Sequence, residues 1–331
     1  MKTVAVTGAS GYIGGRLVPA LSDAGYRLVL VDDGSGPVTA VHPEHPIEKL
    51  DFGSEEGLRV LQGSDVVLHL AAVSGVVRCA EDPVRSLRVN VQDTERLVRQ
   101  CREKGIPMAF ASSFAVVGIP KKLPITESTP AHPTHAYAAQ KATGEALVRS
   151  TLDTGDTPGA ILRMSNVYGS YRVGPRTIAK GNVLNLFVEQ ARAGALRVFA
   201  PGTQKRDFIH LDDAVAHWVA VVRYLLDRSG APGVQTFNVA SGESASVRDV
   251  AEKFRTVWQG LHPAGPGLKL TTVPNPRGSI ELLQPEFSID RRATEKALGV
   301  RCRWNLDEGI RSMLSADAST SSAQNLEGTL R

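Results

Sequence analysis

The sequence predicts an α/β fold, a doubly wound parallel sheet with a smaller and more irregular α/β lobe beside it. Three observations carry that expectation. Over the first half of the chain, short β-rich runs alternate with segments of helical periodicity, as successive βαβ units do. A glycine-rich turn, Gly8-Ala9-Ser10-Gly11-Tyr12-Ile13-Gly14, separates the first of those runs from the first helical segment. After Asn166 the alternation fails, and glycine, proline and arginine become more frequent.

Strands are expected at 3–7, 27–32, 46–49, 66–70, 108–111 and 159–163. Between 84 and 105, Leu87, Val91, Leu97, Val98 and Cys101 recur at helical spacing, and Gly105-Ile106-Pro107 stops the run. One amphipathic helix over 84–104 follows. A helical segment and the run Thr236-Phe237-Asn238-Val239 return the chain to the first domain over 208–240. Residues 1–166 with that return segment form the first domain, and 167–207 with 241–314 form the smaller lobe. The Ser- and Ala-rich stretch 315–331 reads as a disordered tail.

A chain of 331 residues with 42% hydrophobic content buries a sizeable core. The formal net charge of +4 is spread over scattered arginines, with no basic run to track a nucleic-acid backbone. Met1 to Val6 is too short an apolar start for a signal peptide, and no segment reaches the roughly 20 apolar residues that span a bilayer. Cys79, Cys101 and Cys302 are odd in number, widely spaced and far from zinc-ligand spacing. A reducing, cytoplasmic setting is expected. His42 and His45 flank a proline turn, His132 and His135 fall in a loop, and His210 reads as a structural hydrogen-bonding residue, so no metal is assigned.

The glycine-rich turn is the fingerprint of a Rossmann dinucleotide site. Gly8 permits the tight turn, Gly11 lets backbone approach a pyrophosphate, and Gly14 lets helix and strand pack closely, with the helix N-terminus favouring the anion. The next strand ends at Asp32-Asp33, where an acidic side chain meets ribose hydroxyls and repels the extra phosphate of NADP, so NAD is the expected cofactor. Asp51-Phe52 closes the third strand, where a carboxylate and its adjacent backbone can meet the adenine edge. Tyr137-Ala138-Ala139-Gln140-Lys141 places a phenol and an ammonium one helical turn apart on one face. Ser112-Ser113 precede them at the end of a strand.

Taken together with H-L-A-A at 69–72, N-V-Q-D-T at 90–94, S-S-F-A-V-V-G at 112–118, R-M-S-N-V-Y-G at 163–169, R-D-F-I-H-L-D-D at 206–213 and F-N-V-A-S-G-E at 237–243, the sequence resembles the extended short-chain dehydrogenase/reductases, the NAD-dependent sugar-nucleotide epimerases and dehydratases. The resemblance runs from about residue 2 to about residue 311. It implies that Tyr137 is the general acid or base, that Lys141 holds the nicotinamide ribose and lowers the phenol pKa, and that Ser113 hydrogen-bonds the reacting sugar oxygen. Ser112 takes that role if the strand is slipped by one residue. Around the cofactor it places Gly8, Ser10, Gly11, Tyr12, Ile13, Gly14, Asp32, Asp33, Asp51, Phe52, Leu70, Ala71, Ala72 and Asn90. Toward the sugar nucleotide it places Arg78, Asn166, Phe199, Arg206 and Arg277, the arginines at 206 and 277 on the two phosphates.

The shared first step in this family is oxidation of a sugar hydroxyl, usually at C4. Its dehydratases carry a glutamate two residues after the catalytic Ser or Thr, often beside another polar residue. Phe114 and Ala115 stand there, and neither transfers a proton, which favours a 4-epimerase over a 4,6-dehydratase. Val117, Gln140, Cys79 and Gly75 depart from the family's usual residues. A non-catalytic NAD sensor on the same fold is the rival from another class, and the retained Ser113, Tyr137 and Lys141 speak against it. The family also implies a homodimer packed through the 84–104 helix and the helix that begins near Tyr137.

Overall fold

The structure is a computed structural model that describes residues 1–38, 45–153, 155–228, 230, 232–275 and 286–316. Arg277, His42 and the stretch 317–331 lie outside the described residues. The first strand, Thr3–Thr7, is a β-branched run that sits mid-sheet, with Val4, Ala5 and Val6 fully buried between two helical layers. Arg27–Asp32 and Ile47–Lys49 continue the sheet on one side of it. Val66–His69, Met108–Ser113, Gly159–Met164 and Val234–Val239 continue it on the other, and all six pairings are parallel. The connections reverse direction between Thr3–Thr7 and Val66–His69, so the crevice at the carboxyl ends of these strands is where such a sheet takes ligands.

The helices Tyr12–Asp23 and Leu211–Asp227 cover one face and bury Leu17, Leu21, Val221 and Trp218 against it. On the other face Glu55–Leu61, Thr94–Lys104 and Ala136–Leu152 enclose Leu97, Val98, Cys101, Phe110, Val148 and Leu152. A separate core lies between the helices Val183–Arg192, Val247–Leu261 and Leu306–Ala316, with the Phe187 and Phe254 rings edge to face at 5.6 Å. Strand Asn166–Tyr168 joins the two bodies. It pairs with the end of Lys205–His210, whose other end pairs with Ser244–Ser246.

The helix expected over 84–104 is broken into three pieces: Pro83–Leu87, a π-helical segment Arg88–Asp93, and Thr94–Lys104. Asn90, Asp93 and Thr94 are buried in and just after the widened turn. Leu97, Val98 and Cys101 of the expected stripe are buried inside the subunit, while Val84 and Leu87 are exposed. The first two residues of the expected tail belong instead to the helix Leu306–Ala316.

Arg163 and Glu145 form a bidentate pair, with Nε to Oε1 at 3.0 Å and Nη2 to Oε2 at 2.8 Å, and both side chains are almost fully buried. Ser112 Oγ donates to the same carboxylate at 2.6 Å and Arg163 Nη1 donates to the Thr129 carbonyl at 2.8 Å, so the buried charges are hydrogen-bonded as well as paired. Glu145→Leu strands the guanidinium and is expected to cost about 3–5 kcal/mol in urea unfolding. The double variant Glu145→Leu/Arg163→Met is expected to recover most of that loss.

His69 ends its strand between two hydroxyls, Thr7 Oγ1 at 2.7 Å from Nδ1 and Thr94 Oγ1 at 3.0 Å from Nε2, with the Phe52 and Phe110 rings beside it. Burial, helped by the Lys141 charge, pushes its pKa down to about 3. The unfolded chain binds a proton near 6.5 and the native one does not, so His69 costs no stability above that pH and drains it as pH falls toward 3. Between pH 8 and pH 5 the loss is roughly 2 kcal/mol, and in His69→Gln the unfolding midpoint is expected to lack that part of its acid dependence.

Candidate active site

The glycine turn forms a cradle against the neighbouring strands. Gly8 has φ +74°, and a Cβ there would meet Leu70 and Ala71 backbone. A Cβ on Gly14 would run into the Gly8 carbonyl oxygen, so the helix Tyr12–Asp23 approaches its strand as closely as only glycine permits. Gly11 starts that helix with no side chain capping it, leaving its first N–H groups to a ligand. Ser10 is buried close against Gly36, and its Oγ has no hydrogen-bond partner. Tyr12 reaches across to donate to the Gly169 carbonyl at 2.8 Å, and Ile13 packs on the first core.

Asp32 sits at the carboxyl end of its strand, buried, and accepts from Ser10 N at 3.1 Å and from Gly34 N at 2.8 Å. Asp33 faces outward, takes Ser35 N at 2.8 Å and pairs with Arg85 at 2.9 Å. Asp51 accepts from Gly53 N at 3.0 Å and pairs with Arg88 at 3.2 Å. The Phe52 ring is buried 4.7 Å from His69, so only the backbone of that residue is left to face a ligand. Leu70 N donates to Thr7 O and Ala71 N to Thr7 Oγ1, which aligns the turn through Ala72 with the glycine cradle. The Asn90 amide is spent inside the protein, on both backbone polar atoms of Val73 and on Gln140. A glycine cradle, an uncapped helix start, an orphaned hydroxyl and a buried carboxylate at the adjacent strand end are the fittings a dinucleotide needs.

The helix Ala136–Leu152 presents Tyr137 and Lys141 to the same cleft. Its first turn is capped by His135, which accepts from Ala138 N at 3.2 Å and stacks on the Tyr137 ring at 6.2 Å. Two hydroxyls lie near enough to the phenol to favour its ionised form, Ser74 from the loop after Ala72 and Ser113 from the strand end. Ser112 instead turns inward to Glu145. Lys141 Nζ donates to the Ala111 carbonyl at 2.8 Å and lies 4.8 Å above the Phe110 ring. Its burial, offset in part by Cys79 and Glu145, brings the ammonium down to about 8.

The phenol itself moves the other way from the expected lowering. Partial burial pushes the Tyr137 pKa up, the Ser74 and Ser113 hydroxyls work against that, and Cys79 adds to it. The protein by itself thus keeps Tyr137 as a neutral phenol at neutral pH, because desolvation outweighs the help of its neighbours.

Asn166 Nδ2 donates to the Asp207 carbonyl at 2.9 Å, on the strand next to its own. Arg206 is half-buried on that neighbouring strand, with Nη1 donating to the Lys205 carbonyl at 2.8 Å. Phe199 is one of the few exposed large apolar side chains, 38% accessible at the end of Ala195–Phe199. Arg78 is exposed on the short helix Val76–Glu81. Sequence reasoning missed Ser74 and Lys180. Lys180 follows the hairpin Ser170–Val173 and Arg176–Ala179, close enough to Arg78 and Lys141 for their charges to act on it and it on them. No spacing signal marks either residue, since each sits in an irregular loop.

The pattern that defines the NAD dependent epimerase/dehydratase family matches residues 4–240. A UDP-glucose 4-epimerase of Mycolicibacterium smegmatis is 32% identical over 265 residues, 76% of this chain and 80% of that one. MoeE5, solved in complex with UDP-glucuronic acid and NAD, superposes with a TM-score of 0.75 at 25% identity over 95% of this chain and 98% of its own. TunA, an NAD dependent NDP-hexosamine 5,6-dehydratase involved in tunicamycin biosynthesis, superposes at 0.77 with 27% identity over 97% and 99%. The chain belongs to the NAD dependent epimerase/dehydratase family, the extended short-chain dehydrogenase/reductases that its motifs resemble.

Proposed function

We propose that this chain is an NAD-dependent epimerase of a nucleoside-diphosphate sugar, acting at C4 through a transient 4-keto sugar. The observation that carries this reading is the phenol of Tyr137 beside Ser113, with Lys141 one turn along the same helix and no proton-transferring side chain at 114 or 115. Phe114 is buried against Phe287 with Val116, Val117 and Ile125 around it, and Ala115 contributes only its N–H, donated to Ser113 Oγ at 3.2 Å. The named relatives include a 4-epimerase and a dehydratase, and elimination of water across C5 and C6 needs an acid and a base beyond Tyr137.

In this reading the segment 1–166, with 208–240, holds the cofactor, and the segments 167–207 and 241–314 hold the sugar nucleotide. Gly8, Ser10, Gly11, Tyr12, Ile13 and Gly14 take the diphosphate, and Asp32 takes the adenosine ribose and disfavours a 2′-phosphate. Asp33, Asp51 and Phe52 flank the adenine, Leu70, Ala71 and Ala72 line the floor, and Asn90 holds the adjoining loop. Bound NAD supplies a reversible hydride acceptor for the carbon that bears the reacting hydroxyl. Tyr137 takes that hydroxyl's proton, Ser113 orients the sugar oxygen, and Lys141 holds the nicotinamide ribose and favours the phenolate by its charge. Epimerisation would then need the keto sugar to present its other face, the hydride to return to that face of C4, and Tyr137 to return the proton to the oxygen. Asn166, Arg206, Arg78 and, outside the described residues, Arg277 face the sugar nucleotide, and Phe199 offers its exposed ring to the base.

The three unpaired thiols suit a reducing, cytoplasmic setting. The exposed Val84 and Leu87 supply apolar surface for a homodimer beside the helix Ala136–Leu152.

Purified protein incubated with UDP-, dTDP- and GDP-sugars and followed by NMR is expected to invert C4 and leave the C6 hydroxyl in place. A C4 ketone with an altered C6 overturns the epimerase reading in favour of dehydration. Tyr137→Phe is expected to lower turnover at least about 100-fold while NAD binding, read by isothermal titration, stays near the parent value.

A further inference from the structure

Two arginines tie the segment that follows Val66–His69 to the ends of strands on the far side of Thr3–Thr7. Arg85, on the short helix Pro83–Leu87, places Nη2 2.9 Å from Oδ2 of Asp33, the residue directly after Arg27–Asp32. Arg88 opens the π-helical segment and places Nη2 3.2 Å from Asp51 Oδ2, just beyond Ile47–Lys49, and Nε 3.8 Å from Asp93 Oδ2. In the sheet, Thr3–Thr7 lies between Val66–His69 and Arg27–Asp32. The Arg85–Asp33 pair therefore joins chain from both sides of the strand that leads into the glycine turn.

The two arginines are held differently. Around Arg88 the neighbouring chain is packed: Asp93 is buried, and a Cβ on Gly53 would strike the Asp93 side chain. Gln100 Nε2 adds a bond to the Leu58 carbonyl at 2.8 Å, so the chain after Ile47–Lys49 is seated on the π-helical segment and its continuation. Arg85 has no such backing. Asp82 Oδ1 accepts its backbone N–H at 2.9 Å and fixes the helix start, while Asp33 Oδ1 accepts from Ser35 N at 2.8 Å and leaves Oδ2 to the guanidinium. The Arg85 and Asp33 side chains are 47% and 43% exposed, so this pair can part without unpacking any core.

We propose that Arg85 is a positioning residue for the cofactor, a latch that closes on Asp33 across the adenine end of bound NAD and slows its release, with Arg88 anchoring the segment that carries it. The inference rests on the reading of Asp32, Asp33, Asp51 and Phe52 as the adenosine end of an NAD site. Epimerisation gives the latch a use. The hydride leaves the sugar and returns to it, so the cofactor ends each turnover as it began and need not exchange, whereas loss of the reduced cofactor midway would strand the keto sugar. Asp32 does not share the task, since it is buried and turned to Ser10 N and Gly34 N.

The test loads the protein with radiolabelled NAD, chases with excess unlabelled NAD, and follows the label retained through gel filtration. At low ionic strength Arg85→Gln is expected to release label about threefold faster than the parent, the scale of one exposed ion pair. In about 1 M salt, where charges are screened beyond roughly 3 Å, the parent speeds up and the two rates converge. Arg99→Gln removes an exposed arginine whose partner is Glu95, one turn away on its own helix, and is expected to release label at the parent rate. Equal rates for the parent and Arg85→Gln at low salt overturn the proposal. So does a difference that survives high salt, or one that Arg99→Gln reproduces. A parent that retains no label overturns the cofactor reading itself, whereas a parent that retains it no longer than Arg85→Gln overturns the latch alone.

Discussion

The site depends on how closely one helix lies against one strand. Ala136–Leu152 rests on Met108–Ser113 at a distance only glycine permits, since a Cβ on Gly144 would strike the Phe110 ring. One turn below Tyr137, Lys141 is fastened to the strand through the Ala111 carbonyl, and one turn further Glu145 is fastened to it through Ser112 and to the next strand through Arg163. Residues 137, 141 and 145 share one helical face, so a single stripe carries the Tyr137 phenol, the Lys141 ammonium and the Glu145 anchor beneath them. A shift of the helix by a fraction of a turn would take the phenol away from Ser113 and leave Glu145 and Arg163 as unpaired buried charges, which the low-dielectric interior penalises heavily.

That geometry has an electrostatic consequence. Burying Lys141 costs hydration of its ammonium and brings its pKa down to about 8, yet the carbonyl of Ala111, the face of Phe110 and the charge of Glu145 keep it from going further. Tyr137 is pushed in the matching direction, toward its neutral form. Desolvation thus brings Lys141 toward neutral pH and takes Tyr137 away from it, so the phenolate depends on cationic charge placed beside it.

The motifs that could be read in advance are those whose meaning is local. Gly8, Gly11 and Gly14 act through backbone within one turn, and Tyr137 and Lys141 act through one helical repeat, so spacing alone places them. The strands were legible to within a residue or two because parallel strands buried on both faces are continuous apolar runs. The π-helical segment Arg88–Asp93 was not, since an extra residue in one turn leaves no mark in the hydrophobic period. The hold on Val73 was hidden for a related reason: it comes from Asn90, 17 residues along the chain, which Gln140 holds in turn. Cys79 and Gln140 were visible as departures from the family's pattern, but only the fold shows that they meet each other.

The same reasoning bears on which reaction follows the first oxidation. Ser113 sits at the last position of its strand, and the short 3-10 helix Phe114–Val117 turns the chain directly after it. Phe114 and Val117 are thereby directed into an apolar cluster with Phe287 and Ile289, and that cluster also seats Ile125, whose backbone bridges to Ile289. A carboxylate at 114 would have to enter this packed apolar environment unpaired, at the full cost of burying a charge, so the position is closed to acid–base chemistry by packing as well as by identity. Ala115 is smaller and partly open, but its N–H donates to the Ser113 hydroxyl. The fold thus leaves Tyr137 as the one proton-transferring side chain among the described residues that meets Ser113, which is what exchange of a hydroxyl's configuration requires and what elimination of water does not satisfy.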